Sequence, residues 1–161
     1  MSKYPVIIGR FEYIDVVGVL DSIPSKMDTG ANRSSIHATH IREVKQNGTK
    51  LLIFKLLGHP AHTESYELTS DEFTQIEVKS SNGHITKRYE VKLKIKLGYK
   101  IFNASFTLAD RSGNVFPVLV GREALRKRFI VDPDRTGVKR SEIKLALDKA
   151  SCKEEIEGVN V

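Results

Sequence analysis

Short stretches in which apolar and polar residues alternate run through most of the chain. Residues 92–97 alternate lysine with an apolar residue, and residues 101–109 repeat the two-residue pattern. A period of two is typical of a strand with one buried face, so these stretches predict a sheet whose outer face carries solvated lysines. By the same signals the sequence predicts roughly ten short strands. They include residues 6–8, 14–20, 36–44, 51–57, 75–79, 85–97, 101–109, 116–120 and 130–131.

Turn residues separate the predicted strands. Asn47-Gly48 and residues 80–83 are hairpin signals, and residues 21–24 predict a further turn. Residues 123–128 and 141–149 predict two short helices. Many short strands between turns favour a small closed barrel or a pair of packed sheets. The predicted fold class is therefore mostly β, with one or two short helices.

Length and composition favour one domain. The 161 residues are 40% apolar, which is enough for one core, and no repeat or linker divides them. We predict a single domain over residues 1–161, with a loose C-terminal tail from about residue 150. Because we find no long apolar run and no secretory leader, we expect no membrane association. One cysteine, Cys152, cannot form an internal disulfide, so a cytoplasmic location is expected.

The chain carries a moderate positive charge of +6. Its lysines and arginines are spread along strands rather than gathered on one helix. Such a charge favours acidic substrates weakly, through long-range attraction. No zinc finger, aromatic RNA-binding signature or continuous basic helix is present, so nucleic acid is not predicted as a partner.

Candidate chemistry lies in one short segment, Asp28-Thr29-Gly30, and a second segment at residues 118–122 strengthens it. Aspartic peptidases need a carboxylate on a tight loop beside a strand that ends in glycine. As is established for that class, two carboxylates about 3 Å apart share one proton, so that one accepts a proton from water while the other donates. The chain has a single Asp-Thr-Gly, so this chemistry requires two copies of the chain, a homodimer.

The residues around Asp28 suit such a loop. Gly30 permits close backbone approach and a positive φ, and the Thr29 hydroxyl can hydrogen-bond across a symmetric interface. Ala31 keeps the adjacent wall small, and Arg122 can fix the loop through its planar guanidinium. We therefore assign roles in catalysis (Asp28, Thr29, Gly30), in substrate binding (Ala31, Asn32, Val120, Gly121) and in structural support (Arg122).

Four segments carry a family resemblance, namely residues 26–38 (KMDTGANRSSIHA), 106–111, 116–125 and 129–133. They resemble the retropepsins, the homodimeric retroviral aspartic peptidases. The chain is more similar still to the retropepsin-like peptidases of bacteria and archaea that are often labelled "ATP-dependent zinc protease". The resemblance spans about residues 5–136. It implies a closed barrel of the acid-protease fold, a catalytic pair made of Asp28 from two chains, and a hairpin flap over the cleft.

The resemblance leaves some details open. The flap lies between residues 55 and 90, with its tip either at Asn82-Gly83 or within residues 57–71. Retropepsins usually carry an acidic residue at the position of Asn32, paired with the arginine that is Arg122 here. Nearby, Asp110 and Arg111 are adjacent and predict a local ion pair.

The zinc and ATP of that label find little support in the sequence. There is no glycine-rich phosphate loop that ends in Lys-Ser or Lys-Thr, and no His-Glu-x-x-His helix. The spacings His37-x-x-His40 and His59-x-x-His62 could each supply two zinc ligands, but no glutamate base flanks either pair. His37 is also a candidate for the cleft wall. We therefore predict no cofactor and no metal.

Three functional hypotheses follow from the sequence. The first is a homodimeric aspartic endopeptidase that acts on a peptide or protein. The second is a binding module of the same fold that holds an extended peptide by strand addition without cleaving it. The third is a hydrolase of glutamyl bonds added by a ligase, because the resemblance implies a functional link to ATP-grasp amino-acid ligases.

Overall fold

A computed structural model describes residues 4–79, 82–139, 141–145 and 147–148. Eleven strands and one short helix are assigned within these ranges, and residues 141–145 and 147–148 are also helical. The elements are β1 (Val6–Ile8), β2 (Phe11–Val16), β3 (Leu20–Met27), β4 (Ser34–Gln46), β5 (Thr49–His59), β6 (His62–Ser70), β7 (Phe73–Lys79), β8 (Ile85–Leu97), β9 (Lys100–Ala109), β10 (Val118–Val120), α1 (Arg122–Leu125) and β11 (Phe129–Val131).

Six strands close into a barrel. Its order is β10-β3-β2-β8-β9-β4, and β4 pairs back to β10. Strand β10 is parallel to β3 and antiparallel to β4, so it lies between the two strands that the segment 28–33 connects. The predicted mostly-β closed barrel is therefore confirmed.

Three further pieces extend the barrel. Strands β5 and β6 continue the sheet from β4, β7 pairs with β8, and β1 forms a separate parallel pair with β11. Strand β4 connects the barrel to this extension, because Ser34–His37 pair with β9 whereas positions from Ala38 onward pair with β5. Two long hairpins, β5–β6 and β7–β8, result from this arrangement.

The alternating pattern of β8 is confirmed by the burial of its side chains. Val91, Leu93, Ile95 and Leu97 point into the core, whereas the lysines between them are exposed. The barrel interior is filled mainly by branched apolar residues and Phe106. Burial of such side chains is the main stabilising contribution to a fold of this size.

The turns were predicted with mixed success. Asn47 and Gly48 both have positive φ, of 51° and 80°, as a two-residue hairpin requires, and this prediction is confirmed. The predicted strand 14–20 is wrong, because Gly18 adopts φ +76° and the chain reverses between β2 and β3. The predicted turn at 21–24 is also wrong, since these residues belong to β3.

Two other elements differ from the expectation. Helix α1 is shorter than the predicted 123–128 and is followed by a positive φ of 66° at Lys127. Strand β6 is not predicted at all, because most of its residues are polar and exposed on both faces. The predicted tail from about residue 150 lies outside the described residues, as does part of the helix 141–149. Among the helices described, none has the length and apolar character needed to cross a membrane.

Candidate active site

Asp28 lies directly after β3, on a loop that the backbone of β10 holds in place. Its N–H donates to the carbonyl oxygen of Val120 at 2.8 Å, and its own carbonyl accepts from Ala31 at 3.3 Å. The Asp28 Oδ1 atom accepts a hydrogen bond from the Gly30 N–H at 2.8 Å. The carboxylate is therefore positioned by main-chain contacts on both sides, while the residue stays partly open to solvent.

Gly30 is needed for close contact rather than for an unusual backbone angle. A Cβ atom at this position would lie 3.1 Å from Asp28 Oδ1. Gly30 does not adopt the positive φ that a glycine permits, because it is not among the glycines with φ in the left-handed region. A side chain at this position would therefore crowd the carboxylate that the Gly30 N–H holds in place.

Gly121 allows the two halves of the site to approach each other. A Cβ atom there would lie 2.5 Å from the carbonyl oxygen of Arg33, which no side chain can tolerate without a backbone shift. The Gly121 N–H donates to the buried Ser34 Oγ at 3.0 Å. Ser34 is a residue of the site that the sequence analysis did not single out, and only its place just after the Asp28 loop pointed to it.

Helix α1 begins against the Asp28 loop. The N–H groups of Arg122 and Glu123 donate to the carbonyls of Ala31 and Asn32, at 2.8 Å and 3.1 Å. These contacts satisfy N–H groups that the first turn of a helix leaves without a partner. The Arg122 side chain also reaches back, and its Nη1 donates to the carbonyl oxygen of Thr29 at 3.0 Å.

Asn32 contacts a different partner from the one its retropepsin counterpart would use. Its Nδ2 donates to Glu123 Oε1 at 3.1 Å. Arg122 bonds the Thr29 carbonyl instead. The loop and helix α1 are thus joined by two hydrogen bonds, one from the Asn32 amide to the Glu123 carboxylate and one from the Arg122 guanidinium to the Thr29 carbonyl oxygen. These bonds take the place of the carboxylate–arginine pair that retropepsins usually have here.

A second cluster of hydrogen bonds supports the segment that follows β9. The Arg111 N–H donates to His37 Nδ1 at 2.9 Å. His59 Nε2 donates to the carbonyls of Arg111 and Asn114, at 2.8 Å and 3.0 Å, while its Nδ1 accepts from Ala61 at 3.0 Å. Both histidines are buried and their rings meet edge to face at 5.3 Å.

These contacts define the protonation state of His59. A ring that donates from Nε2 and accepts at Nδ1 is neutral. Burial lowers the pKa of His59 below its ordinary value, an effect that the Arg111 carbonyl partly opposes. His59 is therefore a structural residue that fixes the segment 111–114 to the β5–β6 turn.

The histidine spacings do not assemble a metal centre within the described part of the chain. His37 contacts His59 rather than His40, whose Nδ1 lies near Thr39. His62 is the cross-strand partner of His59, but its Nε2 donates to the carbonyl oxygen of Asp21 at 3.0 Å. No group of three or more His, Cys, Asp or Glu side chains among the described residues could hold a metal ion.

The β7–β8 hairpin is linked to the Asp28 side of the barrel. Arg33, five residues after Asp28, forms an ion pair with Glu90 of β8, with Nη1 and Oε2 at 2.5 Å. The β5–β6 turn lies elsewhere, beside the first half of β3, where His62 contacts Asp21. The predicted ion pair between Asp110 and Arg111 is not among the ion pairs of the described residues. Asp110 Oδ1 instead lies 3.8 Å from His37 Nδ1 and accepts a hydrogen bond from the Ser112 N–H.

The architecture defines the class of protein. A closed barrel, in which one strand passes between the two strands that flank an Asp-Thr-Gly loop, is the retropepsin-like form of the acid-protease fold. The family model described as the RimB-like "Retropepsin-like aspartic endopeptidase RimB" matches residues 7–142. The chain belongs to this family.

Relatives fall into two groups. Two proteins named "Probable alpha-L-glutamate ligase", from Shewanella halifaxensis and Desulfotalea psychrophila, are 36% and 30% identical to the chain over 84% and 92% of its length. The chain spans only 30% and 32% of those proteins. A crystal structure of a Legionella pneumophila protein of unknown function, Lpg0085, superposes with a TM-score of 0.67 at 32% identity, covering 81% of this chain and 95% of that one.

Proposed function

We propose that the protein is a homodimeric aspartic endopeptidase in which Asp28 of two chains forms the catalytic pair. The observation that carries the proposal is the placement of a partly exposed carboxylate on a loop whose backbone is bonded to β10. Preorganised groups of this kind are what catalysis by positioning requires. Each chain supplies one such carboxylate, so the dimer completes the site.

The proposed reaction uses a water molecule held between the two carboxylates. The ionised Asp28 takes a proton from the water as its oxygen attacks the peptide carbonyl carbon. The protonated Asp28 donates to the carbonyl oxygen. The C–N bond then breaks as the nitrogen receives the proton that the first Asp28 took from water, and the hydroxyl returns its proton to the second Asp28 as the new carboxyl group forms. One shared proton makes these complementary roles possible, because two adjacent carboxylates cannot both ionise cheaply.

The remaining residues have supporting roles in this proposal. Thr29 bonds across the dimer, and Arg122 holds the loop through the Thr29 carbonyl. Substrate would lie along the loop and β10, against Ala31, Asn32, Val120 and Gly121. We place the flap at the β7–β8 hairpin, because its strand β8 is joined to Arg33 near Asp28 and its residues 82–87 are exposed.

We propose glutamyl peptide bonds as the second candidate substrate, alongside ordinary peptides. The curated relatives are named as glutamate ligases and contain a region similar to this chain within a protein about three times as long. A hydrolase paired with a ligase would act on the bonds that the ligase makes, in the same compartment. We therefore infer a cytoplasmic enzyme with a functional link to such a ligase, and the +6 charge weakly favours an acidic substrate.

The first experiment compares wild type with Asp28→Asn on a peptide library that contains ordinary and glutamyl-extended peptides. We expect cleavage by wild type and a loss of about a thousandfold or more in the variant, since the acid–base pair is removed. Asp71→Asn, at an exposed turn position, is the matched control and should cleave normally.

Two results would overturn the proposal. Cleavage that persists in Asp28→Asn would exclude Asp28 as the catalyst, and a chain that stays monomeric at high micromolar concentration would exclude the shared site. Peptides that bind wild type and Asp28→Asn equally without being cut would instead support the peptide-binding module.

A further inference from the structure

A groove on the outside of the barrel lies between the first half of β3 and the β5–β6 turn. Residues 19–22 form one wall, residues 60–64 form the other, and the groove has a volume of about 610 Å³. His62 Nε2 donates across it to the carbonyl oxygen of Asp21 at 3.0 Å, which fixes the spacing of the two walls. The groove is therefore preformed, and it lies at the end of β3 opposite to Asp28.

Each wall includes a strand edge that has no second strand partner in the described part of the chain. Strand β3 pairs with β10 only at Ser25–Met27, so residues 20–24 have a neighbouring strand only in β2. Strand β6 pairs with β5 alone. Edges of this kind can accept an extended peptide as an added strand, whose side chains then give specificity through pockets beside the edge.

One end of the groove adjoins an apolar cavity of about 260 Å³. The groove and the cavity share three residues, Ser22, Pro60 and Ala61. The other walls of the cavity are mainly apolar and include Phe116, Val138 and Ile143. Sites that surround a whole small molecule usually measure about 300–1,000 Å³, so this smaller cavity is suited to one large apolar side chain.

The charge of the groove is opposite to that of the whole chain. Asp21 and Glu64 line the groove, Glu142 lines the cavity, and all three are exposed, whereas the chain carries a net charge of +6. Glu142 accepts a hydrogen bond from the Tyr13 hydroxyl, but none of the ion pairs among the described residues includes any of the three carboxylates. The described residues that line the two spaces include no lysine or arginine. Such a surface attracts a cationic partner.

We propose that this groove docks an extended segment of a partner protein that carries a large apolar side chain close to a lysine or arginine. The apolar side chain enters the cavity, and the basic side chain lies against the carboxylates of Asp21, Glu64 or Glu142. Because the groove and Asp28 are at opposite ends of β3, docking is separate from cleavage. The proposal therefore goes beyond the proposed function and does not depend on it.

Three fluorescent peptides test the chemistry of the groove by anisotropy at low salt. They have acetylated and amidated ends and alternate leucine with lysine, leucine with glutamate, or serine with lysine. All proteins carry Asp28→Asn, so that the peptides stay intact. We expect the leucine–lysine peptide to bind at least about tenfold more tightly than either of the others, because each of those lacks either the apolar or the charge-matched contact.

One pair of variants tests the carboxylates. Asp21→Asn combined with Glu64→Gln should weaken binding of the leucine–lysine peptide severalfold, because it removes both charges of the groove walls. Asp71→Asn combined with Glu77→Gln changes the net charge equally at exposed positions outside the groove, and this matched control should bind like the parent.

A second pair of variants tests the cavity. Leu145 lines it and is 55% exposed, so Leu145→Gln should weaken binding severalfold without disturbing the core. Leu147 lies on the same helical segment and is 50% exposed, but it does not line the cavity. Leu147→Gln is therefore the matched control and should bind like the parent.

The outcomes decide between the possible occupants. Failure of the parent to bind the leucine–lysine peptide, or equal binding by the parent and both groove variants, overturns the proposal. Self-association of the parent that Leu145→Gln abolishes would assign the groove to a second copy of the chain, and binding of an apolar dye that the peptide does not displace would assign the cavity to a small molecule. Either result also overturns it. Cleavage by wild type, whether present or absent, bears only on the peptidase proposal.

Discussion

The two long hairpins have similar construction but are held at opposite ends. The β5–β6 hairpin is fixed at its turn, where Ala61 bonds His59 and His62 bonds the Asp21 carbonyl. The β7–β8 hairpin is fixed at its base, where Glu90 pairs with Arg33 and the Phe73 and Tyr89 rings meet at 5.9 Å. The contacts of His59 and His62 thus clamp the β5–β6 turn to the rest of the chain, whereas these contacts of β7–β8 lie at the end away from its turn.

Replacing the buried histidine of the clamp should have the largest effect. His59→Ala removes three hydrogen bonds to main-chain groups and leaves a cavity beside His37, so we expect a loss of about 3 kcal/mol in the free energy of unfolding. His62→Ala, whose side chain is more exposed, should cost less than about 1 kcal/mol. Urea denaturation measures both values, and equal losses would contradict the clamp.

Shortening the other hairpin should affect activity and leave stability nearly unchanged. Removing the outermost cross-strand pairs of β7–β8, Val78–Thr86 and Lys79–Ile85, shortens the hairpin by about 7 Å. We expect kcat/KM to fall about 30-fold, or about 2 kcal/mol of transition-state stabilisation, because the proposed flap would no longer cover the substrate. Unchanged kcat/KM would place the flap elsewhere, and urea denaturation is the control for folding.

The contrast between the hairpins also marks the limit of what the sequence predicts. The sequence predicted the alternation along β8 and β9 and the Asn47-Gly48 turn, because each of these features depends on residues that are neighbours in the chain. The sequence did not predict strand β6, because its polar residues form a strand only by pairing with β5. The Gly18 turn was hidden within an apolar stretch that reads as one strand.

The candidate site shows the same difference between features that follow from local sequence and features that depend on contacts between distant segments. Asp28 and the strand before Gly121 were identified from two short motifs, and their contact is direct. The buried pair of His37 and His59 was not predicted, because it depends on β4, β5 and the segment 111–114 meeting in three dimensions. The two His-x-x-His spacings were considered as possible metal ligands and none was predicted, whereas the fold uses the imidazoles of His37, His59 and His62 as hydrogen-bonding groups.

Stability should depend on pH through His59. Above the ordinary histidine pKa of 6.5, both the folded and the unfolded state hold a neutral ring. As pH falls below that value, the unfolded state takes up a proton while the buried ring does not, because its folded-state pKa is lowered. The free energy of unfolding should therefore decrease, by at most about 1.4 kcal/mol per pH unit, until the folded-state pKa is reached.

Urea denaturation from pH 7.5 to 5 checks this slope, with His59→Gln as the variant that should lack it. His40→Gln removes an exposed histidine and is the matched control, which should keep the slope of wild type. A slope that survives in His59→Gln would assign the pH dependence to another group.

The smallest expected effect is the difference in coupling energy between the two ion pairs that contact the hairpins. Arg33–Glu90 is short and half sheltered, whereas Arg42–Glu67, between β4 and β6, is 3.8 Å long and exposed. Double-mutant cycles with glutamine should give a coupling of about 0.5–1 kcal/mol for the first pair and close to zero for the second. Because salt screens sheltered charges less than exposed ones, the coupling of Arg33–Glu90 should persist when the ionic strength is raised. A coupling no larger for Arg33–Glu90 would mean that the base of β7–β8 is held by its apolar contacts alone, with Phe73 against Tyr89 as the anchor.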